Sequence, residues 1–130
     1  MCCSPASRLT VVSFCLLIQF SGLARADSPQ NAPIMPLASQ SLLLDISAAG
    51  QRLVAAGEYG HILFSDDGGA NWRQARVPTT RMLTSVFFID SRRGWAAGHD
   101  GLILASDDGG ESWRIQRDGL AVQQQTNIER

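Results

Sequence analysis

The chain has 130 residues, 45% of them hydrophobic and 18% charged, with a formal net charge of -1. All eleven basic residues are arginine, and so little positive charge excludes a nucleic-acid binder, which needs a basic face to neutralise phosphates.

The first element in chain order is a targeting segment. Arg8 supplies a positive start, "LTVVSFCLLIQFSGL" an apolar core, and "ARA" (Ala24 to Ala26) the small residues that a signal peptidase reads. The apolar run is shorter than the ~20 residues of a comfortable membrane span. Residues 1–26 are therefore expected to be a signal peptide, giving a mature protein that begins at Asp27 in the periplasm or outside the cell. Amino-terminal sequencing of the exported protein would show Asp27 first. Cys2, Cys3 and Cys15 all fall in that segment, so the mature chain would carry no disulfide framework and no cysteine metal site. Its net charge would be about -3.

Residues 27–40 hold "DSPQNAPIMPLASQ", whose three prolines predict a linker or an extended edge strand. Two similar units follow, 41–78 and 79–118. The first contains "SLLLDIS", "RLVAAG", "HILFS", the octet "SDDGGANW" and "WRQARV". The second contains "LTSVFFI", "GWAAG", "LILAS", the octet "SDDGGESW" and "WRIQR". Short β-branched and aromatic runs bounded by Gly, Asp, Asn and Ser predict strands rather than helices. Each unit then makes a four-stranded antiparallel meander of ~40 residues, the size of a β-propeller blade. The fold class expected is all-β, with two blades of an incomplete propeller. Residues 119–130 read as a polar tail without a closing strand.

Each octet has the spacing S-x-D-x-G-x-x-W: Ser65, Asp67, Gly69 and Trp72, then Ser106, Asp108, Gly110 and Trp113. It falls where the third and fourth strands must reverse. Asp accepts backbone N–H bonds within such a turn, Gly takes up positive φ, and Trp carries a large apolar surface. A calcium loop is the sharper reading, but the EF-hand spacing of ligands, glycine and terminal Glu is missing. The octets are therefore expected to be structural, with no metal and no cofactor. His61 and His99 do not recur between the units and supply too few ligands for a metal. Trp95 is expected between blades. Arg92 and Arg93, in a loop, are the candidate partner-docking pair, set against the plainer reading of solvated loop charges.

The octet spacing resembles the Asp-box, or BNR repeat, of sialidases and other propellers. The wider stretches "AAGEYGHILFSDDGGANWRQ" and "RRGWAAGHDGLILASDDGGESWRIQ" resemble the photosystem II stability/assembly factor family and its bacterial relatives. That resemblance covers roughly Leu42 to Arg117 and implies a non-enzymatic exported scaffold. It would dock a protein partner, such as a membrane-complex subunit, in the thylakoid lumen if the source is a phototroph. The rival reading is a glycan-directed Asp-box protein, either a sialidase-like hydrolase or a lectin. Against it, Tyr59 is the only tyrosine, and its counterpart in the second unit is Asp100. A closed propeller takes ~4–8 blades, which implies that these two are the amino-terminal part of a longer one, or that several copies close a ring.

Overall fold

The computed structural model describes residues 31–129. The expected signal peptide with its cleavage site, and all three cysteines, lie outside the described residues. Besides three single-turn 3-10 segments, these residues form eight strands and one α-helix: β1 (Leu43–Ala49), β2 (Arg52–Gly57), β3 (Ile62–Ser65), β4 (Arg73–Gln74), β5 (Leu83–Phe88), β6 (Gly94–Gly98), β7 (Ile103–Ser106), β8 (Arg114–Arg117) and α1 (Gly119–Ile128).

The strands form two four-stranded sheets, each with its strands in chain order, and every pairing is antiparallel. Tight turns join neighbours, so each sheet is a meander. Register in the two sheets is the same: Ala56 stands opposite Asp45 and Ile62 in the first, and Ala97 stands opposite Ser85 and Ile103 in the second. Partners directly opposite share a face, and this decides what lies between the sheets. Val54, Ala56, Ile62 and Phe64 of the first sheet form one core with Val86, Phe88, Leu104 and Trp113 of the second.

The joint between sheets is also polar. Strand β5 is an edge, and its free amides would otherwise lose water without a partner. The Asp45 carboxylate of β1 accepts from the Val86 amide at 2.8 Å and from the Ser85 hydroxyl at 3.0 Å. Two residues along each strand, the Ser47 hydroxyl accepts from the Phe88 amide at 3.3 Å. The Val86 amide, followed by the Ser85 hydroxyl, holds the Asp45 carboxyl below the ordinary carboxylate range despite the opposing effect of burial.

Two elements differ from the sequence expectation. The run "WRQARV" contributes only Arg73–Gln74 to its own sheet. After Ala75, whose amide still bonds Ile62 at 2.8 Å, the backbone leaves β3 and joins the second octet. The Arg76 amide donates to the Glu111 carbonyl and the Trp113 amide to the Arg76 carbonyl, each at 3.0 Å, in a parallel bridge. The second difference is α1, in a stretch read as a polar tail. Asp118 caps it, accepting from the Leu120 amide at 3.1 Å, and is tied by its carboxylate to the Arg81 guanidinium. None of its residues is buried. The segment ahead of β1 is tied down as well: Ala32 donates to Val77, and Gln74 exchanges bonds with Met35 and Pro33.

His61 is 1% exposed. The Ser41 hydroxyl donates to the Ala38 carbonyl at 2.6 Å, so its oxygen is left to accept from His61 Nδ1 at 3.1 Å. His61 Nε2 is then buried with no partner, and burial lowers the pKa of the ring below its ordinary 6.5. Leu102 holds this place in the second unit and is also fully buried. His61→Leu should therefore raise stability by about 1 kcal/mol at neutral pH. Folding favours the neutral ring, so the histidine costs more as the pH falls below ~6.5, and the variant should lose that slope. Urea midpoints at about pH 7.5 and 5.5 check both points; a variant less stable than wild type would contradict the orphaned nitrogen.

Candidate functional site

The octets occupy equivalent hairpins. In the first, the Ser65 hydroxyl accepts from the Gly69 amide at 2.8 Å and donates to Asp67 at 2.7 Å. Asp67 accepts from the Asn71 amide at 2.8 Å and from the Asn71 side chain at 2.7 Å. These bonds, led by the Asn71 amide, hold its carboxyl down at about 2. The second octet repeats the pattern: Gly110 donates to Ser106 at 3.0 Å, Ser106 donates to Asp108 at 2.8 Å, and Ser112 replaces Asn71. Burial would raise the Asp108 carboxyl, but the Ser112 hydroxyl and amide and the Ser106 hydroxyl outweigh it and leave it low. In both octets the aspartate lone pairs are directed at donors of the same turn. Among the described residues no cluster of three or more His, Cys, Asp or Glu has metal-binding geometry.

The tryptophans differ. Trp113 is 7% exposed, stacks edge-on against Phe88 at 5.9 Å, and donates from Nε1 to the Gly110 carbonyl at 3.0 Å. A side chain at Gly110 would press on Phe88 and on Val54 of the first sheet at 3.2 Å. The second octet is thus wedged into the joint between sheets. Trp72 is only half-buried, and Gly69 meets no side chain but Trp72. Among the described residues no sheet packs against the first octet.

Both octets open on the same end of the sheets as the β1–β2 and β5–β6 turns. Arg52 joins them. Its guanidinium pairs with Asp66 of the first octet at 2.6 and 3.0 Å. It also reaches Glu111 at 3.0 Å and the Gly109 carbonyl at 3.3 Å in the second. Hydrogen bonding to Asp66 leads the interactions that raise its pKa further. Arg52 and Arg73 each stand over the Phe64 ring at 4.6 Å, a favourable cation–π geometry. Sequence reading missed Arg52 because its octet partners lie 14 and 59 residues away; its counterpart in the second unit, Arg93, pairs with Asp90 instead.

The structure places Arg92 and Arg93 in the β5–β6 turn on this end. Asp90 accepts from both of their amides, at 2.8 and 2.6 Å, and pairs with the Arg93 side chain at 3.0 Å. These bonds, with the Arg93 amide foremost, hold Asp90 at about 2. Arg92 donates to the Asp107 carbonyl at 3.3 Å and makes no ion pair among the described residues. Asp90, the two arginines and Asp107 line an open depression of about 400 Å³. Arg114, paired with Asp107 at 2.7 Å, lies in an adjoining one of about 370 Å³. Fixed cations and carboxylates in one shallow surface suit a polar peptide segment.

Asp67 and Asp90 release their protons more readily folded than unfolded. Their contributions are complete above about pH 5 and are lost as the pH falls through 4 towards 2. The thermal midpoint should drop steeply over that interval, and less steeply in Asp90→Asn, as differential scanning calorimetry would show.

Trp95 does not lie between sheets as expected. It stands half-buried on the outward face of the second sheet, its indole N–H donating to Gln116 at 2.9 Å, because no sheet covers that face among the described residues.

Comparison with known proteins places this architecture. Residues 70–129 match the family model described as photosynthesis system II assembly factor YCF48. A solved structure described as YCF48 bound to D1 peptide aligns with a TM-score of 0.55 at 23% identity, covering 68% of this chain and 29% of that one. YCF48 from Cyanidioschyzon merolae aligns with a TM-score of 0.50 at 25% identity, covering 66% and 26%. The chain thus spans less than a third of the length of either structure. No curated protein matches it. The all-β fold of incomplete propeller blades and the resemblance to a photosystem II assembly factor, over part of such a protein, are both borne out.

Proposed function

We propose that this chain is part of an exported, non-enzymatic β-propeller scaffold, akin to a photosystem II assembly factor, that docks a protein partner during assembly of a membrane complex. The single observation that carries the reading is the match of residues 70–129, which span the second octet and the whole second blade, to that family's model. The neighbour described as bound to a D1 peptide supports a peptide as the ligand class. The docking surface is the turn end, where Arg92 has a guanidinium that pairs with no carboxylate among the described residues, beside the 400 Å³ depression. Asp67 and Asp108 are directed into their own turns, which favours a scaffold over an enzyme.

The test is fluorescence anisotropy of a labelled D1 peptide titrated with the chain. Arg92→Ala should weaken binding about tenfold, the value of one lost charge-assisted bond, without moving the thermal midpoint. Absent binding, or binding that Arg92→Ala and Arg93→Ala leave unchanged, would contradict the proposal.

A further inference from the structure

The chain ahead of β1 meets a buried histidine. Residues 32–42 cross the end of the first sheet opposite its octet, from the edge strand β4 to the start of β1. On the β4 side the Ala32 amide donates to the Val77 carbonyl at 2.8 Å, and Gln74 bonds both Met35 and Pro33. On the β1 side the Leu42 amide donates to Glu58 at 2.8 Å, and beside it the Ser41 oxygen accepts from His61 Nδ1. Little burial supports the segment. Ala32 and Ala38 are its only buried residues, while Ile34, Met35 and Leu37 are exposed. A segment with so few buried contacts opens locally at low cost, without the rest of the fold. A preceding blade would leave this end open. Asp100, the equivalent of Tyr59, is exposed although the first blade packs ahead of the second.

We propose that this segment is an acid-released strap: protonation of His61 detaches residues 32–42 from the first blade while both sheets stay folded. The neutral ring fits the closed strap, with its one N–H spent on Ser41. A second proton goes to Nε2, which is buried without an acceptor, and a buried cation lacking a partner is costly. Opening the strap hands that proton to water. The surroundings do not hold the charged ring in place. The strap itself has no ionisable side chain. In the β2–β3 turn Glu58 favours the imidazolium, but burial outweighs it. Tyr59, with its ring centroid 6.1 Å away, is the other titratable neighbour there. The crossing to β5, which meets this turn at Thr79, adds only the cations Arg76 and Arg81, and Arg81 is tied to Asp118.

Amide hydrogen exchange followed by NMR tests this, expressed as protection factors so that the intrinsic pH dependence of exchange drops out. The amides to watch are Ala32, Met35 and Leu42, which donate to the body of the blade. Between about pH 7.5 and 5.5, both above the ordinary carboxylate range, they should lose protection by up to about tenfold. That is the change one linked proton allows as the pH falls below ~6.5. The amides of β6 and β7 should keep theirs. His61→Leu should hold the strap closed at both pH values, as the buried Leu102 does without a proton to gain in the second unit. His61→Met is the second variant should the leucine chain misfold. Where strap amides exchange too fast to follow, their chemical shifts should titrate with the His61 ring in wild type and stay flat in the variant. Strap protection or shifts that ignore pH, a loss shared equally by β6 and β7, or the same loss without the histidine would overturn the proposal.

Discussion

Trp113→Ala should lower the free energy of unfolding by about 3–5 kcal/mol, whereas Trp72→Ala should cost about 1–2 kcal/mol. The residues occupy the same place in the same octet, so composition and local turn cannot separate them. Packing does. Trp113 is closed in by Phe88 and by the Gly110 carbonyl that its indole N–H requires, and its own amide is bridged to Arg76 of the first blade. Truncation removes that surface and opens a cavity that the stiff sheets cannot collapse into. Trp72 already faces water on one side. Urea denaturation of both variants decides the matter; equal losses would mean that the second octet is not wedged between blades.

Gly60→Ala should be the most damaging glycine substitution, costing about 3 kcal/mol or more. Gly60 has φ +72°, and a Cβ there would lie 2.0 Å from the Thr79 carbonyl oxygen, where the chain crosses between blades. The neighbours are the Thr79 carbonyl group and the Ala32 Cβ, neither of which can rotate away. Gly68 is the control, since its φ is also +72° but a Cβ would meet nothing within 4 Å. Gly68→Ala should therefore show only the conformational cost of a left-handed residue, about 1 kcal/mol. Thermal midpoints of the two variants compare the terms, and equal shifts would contradict the close crossing at Thr79.

Much of this fold is legible in the sequence because each meander is local. "RLVAAG" and "HILFS" pair across a turn of a few residues, and a second copy in register repeats the information. What escapes is non-local. Nothing in "WRQARV" announces that Arg76 deserts its own sheet for Ser112, because the partner lies in the other unit. Helix α1 was hidden by its surface character: with no buried face it has no apolar stripe to read, and it rests on the Asp118 cap and the Arg81 tie. At the candidate site, Arg92 and Arg93 could be marked as adjacent loop cations. Their fixing by Asp90 was not legible, nor was Arg52, whose two octet partners lie 14 and 59 residues away.

The central claim is that the repeated octets are structural turns of a docking scaffold, with Asp67 and Asp108 directed at donors of their own turns and therefore not at a metal. Differential scanning calorimetry of the purified chain in calcium and in chelator tests it most directly. The account predicts one midpoint that is the same in both, and that falls in Asp108→Ala by an equal amount in both. A midpoint that calcium raises, with the rise abolished by Asp67→Ala or Asp108→Ala, would contradict it.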